Sequence, residues 1–161
     1  SSDLPAGEPR MSAASLHLAG PEDLPKLTHL LGQAEAEAGL PERTDAERAQ
    51  SLTPLVAGGP EGAAYLIGPR RAPVGFLALG FAYSLARGGL TGRIEALWIR
   101  PPVRGRGVGT EALLALGRVM TAGGLDALHI DVPVSQSRMA KLLARTGFSV
   151  RDDISRMTRR L

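Results

Sequence analysis

A basic, glycine-rich turn constrains this chain more than any other segment. The stretch WIRPPVRGRGVGTEA, residues 98–112, places Gly105, Gly107 and Gly109 between an apolar run and a run with helical periodicity. Glycine lets backbone N–H groups approach an anion without obstruction by a Cβ atom, and a helix that begins there adds the positive end of its dipole. The turn is therefore either an anion-binding site or a plain strand-to-helix connection rich in glycine.

The runs on both sides of this turn predict an α/β (α+β) chain. Two helical segments are followed by three apolar runs joined by short turns, which indicate an antiparallel meander. Residues 1–10 show no periodicity and are expected to form a flexible tail before a single domain over residues 11–161. We expect strands at 15–19, 63–68, 74–85, 90–99 and 127–133, a final strand pair within 148–161, and helices within 20–41, 42–56, 109–124 and 135–147.

The amino-acid composition excludes several kinds of site. The chain has no cysteine, so it has no disulfide, thiolate metal site or cysteine nucleophile, and its three histidines are too dispersed to suggest a metal. No run approaches the ~20 apolar residues that span a bilayer, which favours a cytoplasmic protein without a membrane partner. The net charge is +3, but the arginines are scattered and aromatic residues make up only 4%, which argues against a nucleic-acid partner.

Three ligands compete for the glycine-rich turn. A triphosphate loop needs a lysine before its serine or threonine, and the pair at 109–110 has none. A dinucleotide fingerprint, G-x-G-x-x-A, fits residues 107–112, with Asp131 near the place of a ribose-binding acid. However, residues 101–106 separate these glycines from the preceding strand, and only about 50 residues follow them. A loop for the pyrophosphate of coenzyme A uses both the glycines and the neighbouring arginines.

The sequence IEALWIRPPVRGRGVGTEALL, residues 94–114, resembles the acyl-CoA signature of the GNAT superfamily of N-acetyltransferases. In that signature a central strand leads to Arg/Gln-x-x-Gly-x-Gly/Ala at the start of a helix, and Arg104, Gly107 and Gly109 occupy the pattern. The segment ARTGF, residues 144–148, resembles the family's late helix ending in Gly-Phe. The resemblance implies a GNAT fold, with a mixed, mostly antiparallel central sheet of six to seven strands flanked by about four helices.

The resemblance also implies an activity, the transfer of an acetyl or other acyl group from acetyl-CoA to a primary amine of a small molecule or peptide. The amine would attack directly, and no metal is needed. Backbone groups before the loop would pair with the pantetheine arm, the strand at 127–133 would diverge from them, and the loop amides would hold the pyrophosphate. The coenzyme A residues implied in this way are Leu97, Trp98, Ile99, Arg104, Gly105, Arg106, Gly107, Val108, Gly109, Thr110 and Gln136.

The implied reaction needs a base for the acceptor's ammonium ion and a proton donor for the departing thiolate. Glu95 lies on the strand before the loop, where members of the family often have an acid, and His129 is a second candidate base. A solvent-facing glutamate and a structural histidine are the alternatives. Leu143 occupies the position of the family's usual donor tyrosine, so the donor would be another side chain, water or none. The candidate side chains are Tyr83 and either Ser135 or Ser137. Tyr83 as a half-buried strand aromatic and Ser137 as a helix cap are the alternatives here.

The acceptor is the least constrained part of the prediction. In the family, the first two helices and their connection commonly border the acceptor site, and here this region contains Glu35, Glu37, Glu42, Asp45 and Glu47. Such an acidic surface would attract a cationic amine or a basic peptide, although a solvated helix face explains the same charges. A homodimer is expected from the family alone. The alternative functions are a GNAT-like module that binds or senses acyl-CoA without turnover, and a dinucleotide-binding oxidoreductase.

Overall fold

The computed structural model describes residues 15–161. Within them lie five strands and four α-helices: β1 Leu16–Leu18, α1 Leu24–Ala38, α2 Asp45–Val56, β2 Gly62–Ile67, β3 Gly75–Ser84, β4 Gly89–Ile99, α3 Val108–Ala122, β5 Leu128–Ile130 and α4 Ser137–Arg145. The chain divides into two compact units. The first ends at Asp131 and contains the whole sheet, and the second covers Val132–Leu161 and contains α4. The predicted tail, residues 1–10, lies outside the described residues.

The sheet has the order β1-β2-β3-β4-β5. Neighbours are antiparallel from β1 to β4, whereas β4 and β5 are parallel, which confirms the predicted mixed, mostly antiparallel sheet. The sheet has five strands in the described residues rather than six to seven. The missing pair was expected within residues 148–161, with a turn at Asp152 and Asp153. A strand exists only through pairing with a neighbour, and in this segment the structure shows instead a turn closed by Arg151 and Asp153, whose side chains pair at 2.9 Å.

Helices α1 and α2 cover one face of the sheet. Their buried leucines and valine pack with alternate residues of β2 and β3, in a cluster that includes Leu27, Leu30, Leu52, Val56, Ala64, Leu66, Phe76 and Ala78. Helix α1 is followed by Gly39, whose φ of 67° is the left-handed conformation that glycine adopts readily. Helix α2 begins three residues later than predicted, because the Thr44 side chain accepts a hydrogen bond from the Glu47 N–H and caps it.

The opposite face of the sheet carries the other alternate set of buried residues, Tyr65, Ile67, Leu77, Leu79 and Ile94. Helix α3, which contacts β1 and β4, buries Ala112, Leu113, Leu116 and Met120. Val119, on the same helix, is 43% exposed. The sheet is therefore covered by apolar side chains on both faces, as expected for a layered α/β arrangement.

Strand β4 has two irregularities at the candidate site, a bulge and a segment that extends beyond its neighbour β5. Ala78 of β3 pairs with Ala96, but the next residue, Leu79, pairs with Ile94, so that Glu95 is an extra residue in β4. This is a β-bulge, a feature that redirects a side chain and interrupts pairing. In addition, β5 pairs with β4 only as far as Ile94, opposite Ile130. The last five residues of β4 therefore extend beyond β5, as predicted for two strands that diverge.

Candidate functional site

Glu95 stands at the bulge with an accessible carboxylate. Its side chain is 55% exposed. A Cβ built at Gly80 would lie 3.8 Å from Glu95 Oε1, so the carboxylate lies over Gly80. Gly80 shares the face of Phe76 and Ala78 by the alternation of β3, and this is the face that α1 and α2 cover. The bulge therefore directs a carboxylate toward the side of the sheet on which α1 and α2 lie.

Arg93 lies between two carboxylates where β4 and β5 begin to diverge. Its Nε is 3.5 Å from Glu95 Oε1, and its guanidinium also forms an ion pair with Asp131, the residue that follows β5. His129 is directly opposite Arg93 in the parallel register. The guanidinium lies close enough to Glu95 to offset part of its charge, while more than half of the Glu95 side chain stays open to solvent. Such a group can accept a proton from a ligand that approaches this edge.

The end of β4 offers backbone groups to an extended ligand. Leu97, Trp98 and Ile99 pair with β3 on one side, and within residues 15–131 no strand pairs with them on the other. An extended chain could therefore add to β4 at this edge. The Trp98 side chain packs against the cluster under α1 and α2. Its Nε1 is buried and has no hydrogen-bond partner within residues 15–161.

The Arg104 side chain is directed to α1 and to the end of β4. Its Nε donates a 2.8 Å hydrogen bond to the Ile99 carbonyl, and one terminal nitrogen lies 2.7 and 2.8 Å from the two carboxylate oxygens of Glu37. The guanidinium also lies 5.9 Å from the centroid of the Trp98 ring, within the range of a cation–π contact. The side chain of Arg104 is thus engaged by three residues of the protein.

The loop that follows, residues 104–110, presents backbone N–H groups at the start of α3. Gly105 and Gly107 have φ values of 78° and 81°, and a Cβ built at either would meet no atom within 4 Å. Gly107 precedes the first residue of α3, and no side chain caps this helix. Within residues 15–161, the N–H groups of residues 105–110 have no backbone acceptor. Amides at a helix N-terminus without partners form a ready site for an anion.

A profile of the GNAT acetyltransferase family matches residues 26–148, which is most of the chain and includes α1, the sheet from β2 to β5, the loop and α4. The chain belongs to this family. The resemblance inferred from residues 94–114 and 144–148 is thereby confirmed.

Solved structures with the same fold have low sequence identity to this GNAT chain. An integron cassette protein from the mobile metagenome of Cole Harbour Salt Marsh is 25% identical, with a TM-score of 0.78 over 91% of this chain and 90% of that one. A ribosomal-protein-alanine N-acetyltransferase from Brucella melitensis biovar Abortus 2308 is 18% identical, with a TM-score of 0.72 over 91% and 99%. A predicted acetyltransferase with acetyl-CoA from Clostridium acetobutylicum is 15% identical, with a TM-score of 0.72 over 89% and 95%. No curated protein sequence gives a significant match.

The acidic residues of α1 and α2 in this GNAT protein are largely paired with arginines. Glu35 is buried and accepts hydrogen bonds from Arg43 and Arg48, which hold its pKa below the usual value in spite of burial. Arg48 also pairs with Asp45 at 2.8 Å, and Glu37 pairs with Arg104. Three of the five acids that were expected to attract a cationic acceptor are therefore balanced locally. The region is a network that joins α1 to α2 rather than a free acidic surface.

The structure does not bring Tyr83 together with Glu95. Tyr83 is 67% exposed and lies four residues beyond Leu79 in β3, roughly 13 Å along the strand at about 3.3 Å per residue. By alternation it shares the face of Leu77 and Leu79, opposite the face that carries Glu95. Distance and direction both separate its hydroxyl from the bulge.

The remaining candidate residues lie in the second unit. Gln136 is the residue before α4, and its side chain makes no capping hydrogen bond. Ser137 opens the helix and is exposed, so the expected serine cap is not formed. Leu143, at the position of the family's usual tyrosine, is only 4% exposed. Its buried apolar side chain cannot donate a proton.

Three features of the site were not found from the sequence. The bulge depends on the register between β3 and β4, for which a single sequence gives no signal. The pairing of Glu37 with Arg104 joins residues 67 positions apart. Arg93 had a usable signal, since residues two positions apart on a strand, such as Arg93 and Glu95, share one face.

Within residues 15–161, no helix is long and apolar enough to cross a membrane, and no group of three or more His, Asp or Glu residues could hold a metal ion.

Proposed function

We propose that this protein transfers an acetyl group from acetyl-CoA to a primary amine by direct attack. The observation that most supports the proposal is the combination of the loop amides of residues 105–110, which lack backbone acceptors, with the end of β4 that extends beyond β5. Backbone groups of Leu97 and Trp98 would pair with the pantetheine arm. The loop amides would hold the pyrophosphate, with Arg106, which is exposed in the loop, adding positive charge.

We assign the general base to Glu95. Its carboxylate would take a proton from the acceptor's ammonium group, directly or through water, so that the neutral amine attacks the thioester carbonyl carbon. The C–S bond then breaks, and the thiolate takes up a proton. Ser137 and water are the candidate donors, because Leu143 has no proton to give and Tyr83 lies on the other face of the sheet. No covalent enzyme intermediate is needed.

A second candidate function is the binding of acyl-CoA without turnover. The observation that favours it is the buried Leu143 in place of the tyrosine that usually protonates the thiolate in this family. The loop and the β4 edge would serve such a binding module equally well. The acceptor would then be irrelevant, and Glu95 would have no role in a proton transfer.

The proposal is tested by following, with a thiol reagent, the release of free coenzyme A from acetyl-CoA. The assay is repeated over a panel of small amines and peptides. Isothermal titration calorimetry with acetyl-CoA and with NADH accompanies it. We expect binding of acetyl-CoA, no binding of NADH, and thiol release with at least one amine. Binding without thiol release for any amine would favour the second candidate. A protein that binds NADH and not acetyl-CoA would refute both.

A further inference from the structure

Arg104 fills the signature position of the loop, yet its side chain is engaged elsewhere. Its contacts come from three places: the Glu37 carboxylate of α1, the Ile99 carbonyl at the end of β4, and the Trp98 ring. The main-chain N–H of Arg104 also donates to the Pro101 carbonyl at 3.2 Å. The first residue of the loop is therefore fixed by hydrogen bonds of both its main chain and its side chain.

The rest of the loop has few such attachments. Val108 and Gly109 are buried at the start of α3 and hold the other end. Between the two ends, Gly105, Arg106 and Gly107 are exposed, and the space beside both glycines is open. Glycine has more conformational freedom to lose than any other residue, so the cost of ordering this stretch around a ligand depends on how firmly its ends are held.

We propose that Glu37 is a positioning residue for coenzyme A: it holds the Arg104 side chain against Trp98 and Ile99 and so fixes the start of the pyrophosphate-binding loop. The inference rests on the proposed binding of coenzyme A at this loop. Two roles are thereby reassigned. Glu37 acts on the cofactor side and not as a charge for the acceptor, and Arg104 acts as an anchor while the amides and Arg106 face the anion.

Direct binding of the pyrophosphate by the Arg104 side chain would predict the opposite effect of Glu37→Gln on coenzyme A affinity. If Arg104 were itself the ligand of the pyrophosphate, Glu37 would compete with the anion for the guanidinium, and its removal would strengthen coenzyme A binding. Simple electrostatics also favours tighter binding of an anion when a nearby carboxylate is lost. A positioning role, in contrast to both of these, makes Glu37→Gln weaken the binding. The pair is partly exposed, with 44% and 36% of the two side chains accessible, so we expect an effect of roughly threefold to fivefold in Kd.

Titration calorimetry with free coenzyme A tests the proposal on four variants: Glu37→Gln, Arg104→Met, the double variant and Glu42→Gln. The last is a matched control, because it removes the same charge from an exposed glutamate in the connection between α1 and α2. We expect Kd to rise about threefold to fivefold for each of the first two and to change little for the control. The double variant should bind no more weakly than Arg104→Met, since Glu37 acts through Arg104.

Two further readouts separate positioning from a general loss of structure. Trp98 is the only tryptophan, so its emission reports the Arg104 contact directly and should change in Glu37→Gln but not in Glu42→Gln. In the thiol-release assay, KM for acetyl-CoA should rise while kcat is retained. Unchanged or tighter binding by Glu37→Gln, or additive effects in the double variant, would overturn the positioning role and leave the proposed function standing. A wild-type protein that does not bind coenzyme A would overturn both.

Discussion

Gly107→Ala, compared with a control substitution at another left-handed glycine, tests whether the loop binds coenzyme A or is only strained by the added methyl group. The φ of 81° lies in the left-handed region, where a Cβ atom costs about 1 to 2 kcal/mol. No neighbouring atom adds a clash, because a Cβ at this position meets nothing within 4 Å. For a chain of this size the strain corresponds to a fall in Tm of roughly 2 to 8 °C. The same open space is where an anion would approach the amides, so the methyl group should also obstruct binding.

Gly124→Ala is the matched control for this substitution. Gly124 has a φ of 86° and equally open space, but it lies just after the other end of α3. Both variants should lose similar thermal stability, measured by circular dichroism. Only Gly107→Ala should weaken coenzyme A binding, by at least about tenfold if one charge-assisted hydrogen bond of roughly 1.5 to 3 kcal/mol is lost. Equal coenzyme A affinity in the two variants would refute the assignment of the loop.

Three further predictions concern side-chain charge. Arg106→Ala should weaken coenzyme A binding about fivefold, whereas Arg87→Ala, in an exposed turn between β3 and β4, should not; equal effects would point to net charge alone. Glu95→Gln should lower kcat by roughly 100-fold or more with an unchanged KM for acetyl-CoA, and a loss below threefold would exclude Glu95 as the base. Glu35→Gln should lower the free energy of unfolding at pH 7 by about 2 kcal/mol, since it removes charge-assisted hydrogen bonds. Arg43, together with Arg48, depresses the pKa of Glu35 in the folded state. The difference in free energy of unfolding between the wild type and Glu35→Gln should therefore shrink as the pH falls below about 4.3. A difference that stays constant with pH would contradict the ion-pair explanation.

The sequence was sufficient to predict those elements in which local residue preferences and burial in the core favour the same structure. The loop could be located because its glycines stand between a strand and a helix, and Gly107 indeed has the left-handed conformation that only glycine adopts at low cost. The helices and the antiparallel order of β2, β3 and β4 followed from apolar periodicity and short turns. For these elements, the residues that favour the local structure are the same residues that the core buries.

Prediction failed where a feature depends on register or on distant partners. Residues 148–161 resemble two strands around a turn at Asp152 and Asp153, but pairing decides whether a strand forms, and a sequence does not show the partner. The strand expected at 127–133 ends at Ile130, because Asp131 pairs with Arg93 and Pro133 has no N–H to donate to a ladder. The acidic residues of α1 and α2 looked like one surface, and only the structure shows that Glu35 and Glu37 have arginine partners.

The Glu37–Arg104 pair limits which groups of the loop are free to bind an anion. With Arg104 paired to Glu37, Arg106 is the one side-chain charge among residues 104–110 that has no ion pair in the described part of the chain. The N-terminus of α3 adds the equivalent of about half a positive charge. The pyrophosphate of a bound coenzyme A would carry two negative charges, which Arg106 and the helix end would not balance, so directed hydrogen bonds from the amides would have to supply the rest of the binding. An arginine free to move would attract many anions, whereas amides in a loop held at both ends favour one geometry. In the proposed complex, the signature arginine therefore contributes more by holding the start of the loop than by binding the phosphate itself.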